Sequence, residues 1–228
     1  MDVVKEREPD IAIRAVIFDL DGTLLDTLLD LAEATNWALR QGGYAEHSVE
    51  EIRMMVGNGV GKLIERALPT DAGSQACEQT LSLFKSYYIN HCEVHTRLYD
   101  GIEDLLRQLR AAGMKLAIVS NKLQAGVMEL HRHYFDGLID VAVGEREGVR
   151  RKPAPDMVEA AMHELGVQAG ECVYVGDSDV DILTARNCSL PCISVLWGFR
   201  DRDFLLASGA TMLAATPQEI PSLLRTIG

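Results

Sequence analysis

The chain has 228 residues, 47% hydrophobic and 25% charged, which suits one large domain or a core carrying an insert and excludes disordered, collagen-like and coiled-coil classes. No apolar run reaches the ~18 residues of a membrane span, and Met1–Asp10 (MDVVKEREPD) lacks the apolar stretch of a secretory signal, so a cytoplasmic protein is expected. With 34 acidic against 22 basic residues, the net charge of −12 argues against nucleic acid and membrane partners, and an anionic substrate would need local positive charge from a metal, a lysine or backbone amides.

Residues 14–19 (RAVIFD) form a short apolar, β-branched run that stops at a carboxylate followed by Gly22, which predicts a fully buried strand. Residues 26–96 then carry apolar residues at helix period (Leu28, Leu31, Leu39; Ile52, Leu63, Ile64; Leu81, Phe84, Tyr88) with no convincing strand, so an all-helical insert is expected. Beyond it the pattern alternates. A helix is predicted over Ile102–Ala112, a strand over Lys115–Ser120 (KLAIVS), a helix over Lys122–His133 and a weaker strand over Ile139–Val143. A helix over Pro155–Leu165, a strand over Cys172–Gly176 (CVYVG), a helix over Asp179–Asn187 and a strand over Cys192–Leu196 complete the series. This order requires crossover connections, hence an α/β fold with a Rossmann-like parallel sheet covered on both faces. The expected division is a core of residues 1–25 and 97–228 and an insert of 26–96. The five cysteines are odd in number and scattered, which predicts buried thiols and no disulfide framework.

In open parallel sheets ligands bind beyond the carboxyl ends of the strands, so the polar residues that end the buried runs are the candidates. The first run ends Asp19-Leu20-Asp21-Gly22-Thr23, two carboxylates two residues apart. The second ends Ser120-Asn121, a hydroxyl and an amide able to bind phosphate oxygens, although such residues also cap helices. Lys152 lies in Arg150-Arg151-Lys152-Pro153-Ala154-Pro155-Asp156, before a predicted helix start. The third strand end is Gly176-Asp177-Ser178-Asp179-Val180-Asp181, in which Asp177 and Asp181, four apart, can face one direction as a helix begins. Carboxylates gathered this closely repel unless a cation intervenes, and hard oxygen ligands with room for water and phosphate favour Mg²⁺ over zinc.

On these segments the sequence resembles the haloacid dehalogenase superfamily of phosphatases, in particular its phosphoglycolate phosphatase-like branch. DLDGT resembles the first motif, Ser120 the second, Lys152 the third and GDSDVD the fourth, in the family's order and with a helical cap after the first. The resemblance implies that Asp19 is the nucleophile and Asp21 the general acid/base. It implies that Asp19, the Asp21 backbone carbonyl and Asp177 hold Mg²⁺, with Asp181 as a ligand or a partner behind the ligands. Ser120, Asn121 and Lys152 would bind the phosphate, Lys152 also taking part in catalysis. Gly57-Asn58-Gly59 and Trp197-Gly198-Phe199 are similar to segments of the same branch. The implied activity is hydrolysis of a small phosphorylated metabolite, most of all 2-phosphoglycolate. A nucleotidase or pyrophosphatase, a sugar-phosphate mutase and a non-catalytic binding protein are the alternatives, and a homodimer is one open assembly.

Other patterns are weaker. Gly57–Lys62 (GNGVGK) has three intervening residues where a P-loop needs four and no Ser or Thr after the lysine, so a turn between insert helices is preferred, with Lys62 a minor candidate for Schiff-base chemistry. His91-Cys92-Glu93-Val94-His95 spaces two histidines for zinc, but the metalloprotease pattern needs Glu directly after the first, so a polar helix face is preferred. His131 and His133, two apart on a helix, share no face. Met54-Met55 and Tyr87-Tyr88 read as packing within the insert, and Asp201 and Asp203 as a solvated loop.

Overall fold

A computed structural model describes residues 13–227; Met1–Asp10 lies outside the described residues. The strands are β1 (Ala15–Phe18), β2 (Leu25–Asp26), β3 (Arg97–Leu98), β4 (Lys115–Leu123), β5 (Val141–Glu145), β6 (Cys172–Gly176), β7 (Cys192–Val195) and β8 (Met212–Ala214). Six of them form one sheet in the order β5-β4-β1-β6-β7-β8, every neighbouring pair parallel. Counting only these six, the order is 3-2-1-4-5-6, the doubly wound arrangement whose direction reverses beside β1.

Alternation along β1 explains why RAVIFD is apolar throughout. Val16 and Phe18 enter a core with helices α5 (Ile102–Ala111) and α6 (Gln124–Tyr134), while Ala15 and Ile17 enter a second core with α7 (Asp156–Leu165) and α8 (Asp179–Asn187). All four residues are fully buried, so neither face of the strand tolerates a polar side chain.

Between β2 and β3 lie helices α1 (Leu28–Gln41), α2 (Val49–Met55), α3 (Val60–Ala67) and α4 (Gly73–Tyr88), which enclose a core of their own around Leu39, Ile52, Ile64 and Phe84. Ser48 starts α2 with a capping box, its hydroxyl accepting from the Glu51 N–H while the Glu51 carboxylate accepts from the Ser48 N–H. Where the chain enters and leaves these helices, β2 and β3 pair antiparallel. Beside that ribbon buried Asp30 accepts from the N–H of His95 (2.8 Å), the N–H of Thr96 (2.9 Å) and the Thr96 hydroxyl (2.7 Å). These charge-assisted bonds tie the first insert helix to the returning chain.

Several sequence expectations need correction. β4 runs on to Leu123, with an irregularity in its pairing after Val119, so α6 starts at Gln124 and Lys122 belongs to the strand end. Asp26 pairs in β2, so the segment 26–96 is not wholly strand-free. α4 ends at Tyr88, which leaves His91–His95 in turns without a helix face. Asp203 lies in helix α9 (Arg202–Ala207) and not in a loop, while exposed Asp201, just before it, caps the helix by accepting from the Phe204 N–H. β8 and α10 (Ile220–Leu224) were not anticipated. No helix is long and apolar enough to cross a membrane among the described residues. All five cysteines are free.

Candidate active site

β1 and β6 pair with Phe18 opposite Val175, and the Asp19 N–H donates to the Val175 carbonyl at 2.9 Å. The register therefore sets Asp19 beside Gly176, with Asp177 one residue further on, at the point where the strand order reverses. Asp181 stands one turn into α8. Carboxylate oxygens of Asp19, Asp177 and Asp181 all lie within 4.8 Å of one another. Lys152 Nζ reaches Asp19 Oδ1 at 2.8 Å, Asp181 Oδ1 at 2.9 Å and the Tyr174 hydroxyl at 3.0 Å, so its three donors are filled.

The three carboxylates are differently engaged. Asp181 Oδ2 accepts from the Ser178 hydroxyl (2.6 Å) and N–H (3.1 Å), closing the capping box of α8, and its Oδ1 is taken by Lys152 and Tyr174. Both of its oxygens are thus occupied by protein donors. Asp177 Oδ2 accepts from the Phe199 N–H at 2.6 Å. Asp19 Oδ1 accepts from the Leu20 N–H and Lys152, and its Oδ2 has no hydrogen-bond partner among the described residues. Backbone crowds Asp177 closely: a Cβ on Gly22 would fall 2.4 Å from Asp177 Oδ2, and one on Gly198 2.3 Å from Asp177 Cβ. Only glycine permits that approach.

Burial and the charge of Asp181 hold the Asp19 carboxyl well above the usual aspartate range, Lys152 only partly offsetting them. The same two causes raise Asp177 to about 7. Burial alone would lower the Lys152 ammonium, but Asp181 and Asp19 outweigh it and keep the group charged. Two buried carboxylates and the part-buried Asp19 face one saturated ammonium, an excess of negative charge that a cation would relieve. The donors are all oxygens, which fits a hard divalent ion.

Asp21 is not part of this cluster. Its carboxylate faces the end of β4, with the Ser120 hydroxyl at 3.5 Å from Oδ2 and Lys122 Nζ at 3.4 Å from Oδ1. Asn121 Nδ2 donates to the Lys152 carbonyl at 3.1 Å, and Asn121 Oδ1 is buried without a partner. A cavity of about 50 Å³, room for a few water molecules, touches Asp19, Asp21, Ser120, Asn121, Lys152 and Asp177, so every predicted residue except Asp181 borders one space.

Three contributors were not anticipated. Lys122 lies two residues beyond Ser120 in the irregular end of β4, where Ser120, Asn121 and Lys122 all border the cavity. Tyr88 packs in the insert's core as its sequence suggests and also borders the cavity, where its hydroxyl accepts from Lys122 Nζ at 2.5 Å; no sequence signal links two residues 34 apart on different elements. Arg200 donates to the carbonyls of Arg53 and Val56, and Arg53 in return donates to the Phe199 carbonyl, fastening α2 to the loop that contacts Asp177. The weaker patterns separate from the site. Gly57 and Gly59 line the cavity from a turn before α3, whereas Lys62 pairs with Glu65 on the surface. His91 bonds the Tyr87 carbonyl and His95 faces Glu33, so the two do not converge.

The parallel sheet, its acidic cluster and two buried lysines beneath four inserted helices define an α/β protein that can bind a cation and an anion side by side. Residues 16–195 match the family of haloacid dehalogenase-like hydrolases. The phosphoglycolate phosphatase of Neisseria meningitidis serogroup A is 34% identical over 206 residues, 87% of each chain. That of Aquifex aeolicus is 32% identical over 192 residues, 82% of this chain and 86% of its own. A crystal structure from Lactobacillus delbrueckii subsp. bulgaricus, provisionally described as a phosphoglycolate phosphatase, superposes with a TM-score of 0.91 at 39% identity, covering 93% of this chain and 98% of that one. The chain belongs to the haloacid dehalogenase-like hydrolase family.

Proposed function

We propose that the chain is a Mg²⁺-dependent phosphomonoester hydrolase that works through an aspartyl-phosphate on Asp19, with 2-phosphoglycolate as its preferred substrate. Family membership and the names of its relatives support phosphatase activity. The observation that carries the mechanism is the Asp19 carboxylate with one free oxygen, set between a saturated lysine and two further acids at the sheet's switch point.

In this reading Asp19, the Asp21 backbone carbonyl and Asp177 hold Mg²⁺, which when bound neutralises charge on the transferred phosphoryl group. Asp19 Oδ2 attacks phosphorus, the bond to the leaving oxygen breaks, and Asp21 gives that oxygen its proton. Asp21 then takes a proton from the water that cleaves the aspartyl-phosphate, releasing phosphate and restoring both carboxyls. The Ser120 hydroxyl holds an equatorial oxygen, Lys152, its donors filled by Asp19, Asp181 and Tyr174, supplies positive charge beside the phosphoryl group, and the Asn121 amide orients the loop that carries Lys152. Asp181 occupies both oxygens in fixing Lys152 and the start of α8, a positioning role.

Residues 26–96 act as the cap over a core of 1–25 and 97–228. The cavity beneath is small and walled on the cap side by Leu31, Val56, Val60 and Leu63, which favours a compact leaving group and an opening motion for each turnover. Five unpaired thiols agree with a reducing, cytoplasmic setting. The test is a panel of phosphorylated metabolites with and without Mg²⁺. The expected result is metal-dependent release of phosphate with the highest kcat/KM on 2-phosphoglycolate; a nucleotide, hexose phosphate or pyrophosphate favoured ~10-fold would reject that substrate.

A further inference from the structure

Lys152 and Lys122 are both buried at the strand ends, 3% and 7% exposed, yet their surroundings differ. Lys152 has three acceptors between 2.8 and 3.0 Å for its three donors. Lys122 has one close acceptor, the Tyr88 hydroxyl at 2.5 Å, and a carboxylate oxygen of Asp21 at 3.4 Å, beyond a good hydrogen bond. One ammonium donor is left over. The Tyr88 hydroxyl and the Asp21 carboxylate hold the ammonium at the cavity wall. The cap-side wall, Leu31, Val56, Val60 and Leu63, offers it no counter-charge, and Arg200 gives both terminal guanidinium nitrogens to backbone carbonyls, its Nε lying 4.0 Å from Asp179 Oδ1.

We infer that Lys122 is a specificity-determining residue whose ammonium pairs with a carboxylate on the leaving group, so that the site selects short phosphorylated carboxylic acids over neutral phosphate esters of equal size. The inference rests on the phosphatase reading and deepens it. If Asp21 protonates the leaving oxygen, that oxygen sits about 2.8 Å from the Asp21 carboxyl. Lys122 Nζ is 3.4 Å from Asp21 Oδ1, so a leaving oxygen bonded to that same oxygen lies about 6 Å at most from the ammonium. A carboxylate one carbon along spans about half of that gap and closes the rest with a single hydrogen bond. A longer leaving group overshoots Lys122 and meets the apolar wall. Tyr88, which comes from the cap, holds the ammonium in this position only when the cap is closed, so the charge contact and closure are formed together.

The experiment compares 2-phosphoglycolate with 2-hydroxyethyl phosphate, equal in length and neutral at the far end, in wild type, Lys122→Met and Lys122→Gln at saturating Mg²⁺. Wild type is expected to favour 2-phosphoglycolate at least ~10-fold in kcat/KM, and both variants to lose ~100-fold on it but less than ~10-fold on the neutral ester, erasing the preference. Tyr88→Phe should reduce the preference severalfold. Equal losses on both substrates would mean that Lys122 serves Asp21 alone, and a preference that survives the substitutions would place carboxylate recognition elsewhere; either result overturns the inference. Should both variants misfold, as circular dichroism would report, the wild-type ratio decides, and a value under ~3 rejects carboxylate selection. Wild type that hydrolyses other phosphomonoesters but neither of these also overturns it. Wild type inactive on every phosphomonoester overturns the parent reading instead.

Discussion

Binding of Mg²⁺ to metal-free protein should expel protons. Burial and the charge of Asp181 raise Asp177 to about 7, so on the acid side of that pH the group is largely protonated. A divalent ion coordinated by the carboxylate must displace this proton, so protons leave as metal binds at pH 6, and Asp19, raised by the same causes, adds to the count. Affinity should accordingly fall toward tenfold per pH unit on the acid side of 7. The sign is the opposite of that for a salt-bridged aspartate. Both pKa values lie above their unfolded ones, so the metal-free protein loses stability from these groups as pH rises from about 4 through 7, and the gain in Tm on adding Mg²⁺ grows over the same interval. Titration calorimetry at pH 6 in buffers of different ionisation enthalpy counts the protons directly. A binding heat independent of the buffer would refute the assignment of Asp177 as a ligand.

Asp21→Asn should still bind substrate while kcat falls roughly 10²–10⁴-fold, the usual worth of a proton-transfer group, with steady-state kinetics as the check and an unchanged rate as the refutation. Gly198→Ala forces a methyl group onto Asp177 and the Gly22 carbonyl, and should raise the Mg²⁺ concentration needed for half-maximal activity at least ~10-fold and lower Tm as well. Asp30→Ala removes the acceptor of three hydrogen bonds and leaves two buried donors behind, which predicts a loss of about 3 kcal/mol in chemical denaturation; a loss under ~0.5 kcal/mol would show that the clamp is not needed.

The part of the fold built from local runs was legible. RAVIFD is apolar without alternation because β1 is buried on both faces in the middle of the sheet, and the three other strong runs follow the same rule. β8 was invisible because three residues at a sheet edge, two of them only half-buried, carry no period. The end of β4 was misplaced because its pairing is irregular after Val119, and with it went Lys122, which reads as the first residue of a helix unless the strand is known to continue. The acidic residues of the site stand on strand ends and announce themselves in sequence. The groups that hold and shape them come from far along the chain. Tyr88 reaches Lys122 across 34 residues, the Phe199 N–H reaches Asp177 across 22, and Lys122 reaches Asp21 across 101. Such contacts are properties of the packed molecule, and no motif encodes them.

The central claim is that Asp19 becomes covalently phosphorylated, and the most direct measurement is to trap it. Asp21→Asn protein, slowed in the hydrolytic half of the cycle, is mixed with substrate and Mg²⁺, quenched in acid and reduced with borohydride, which converts an aspartyl-phosphate to homoserine. Peptide mass spectrometry should place homoserine at position 19 alone, and none in the additional Asp19→Asn substitution. Substrate turnover with no modification at position 19, or modification at another carboxylate, would contradict the account.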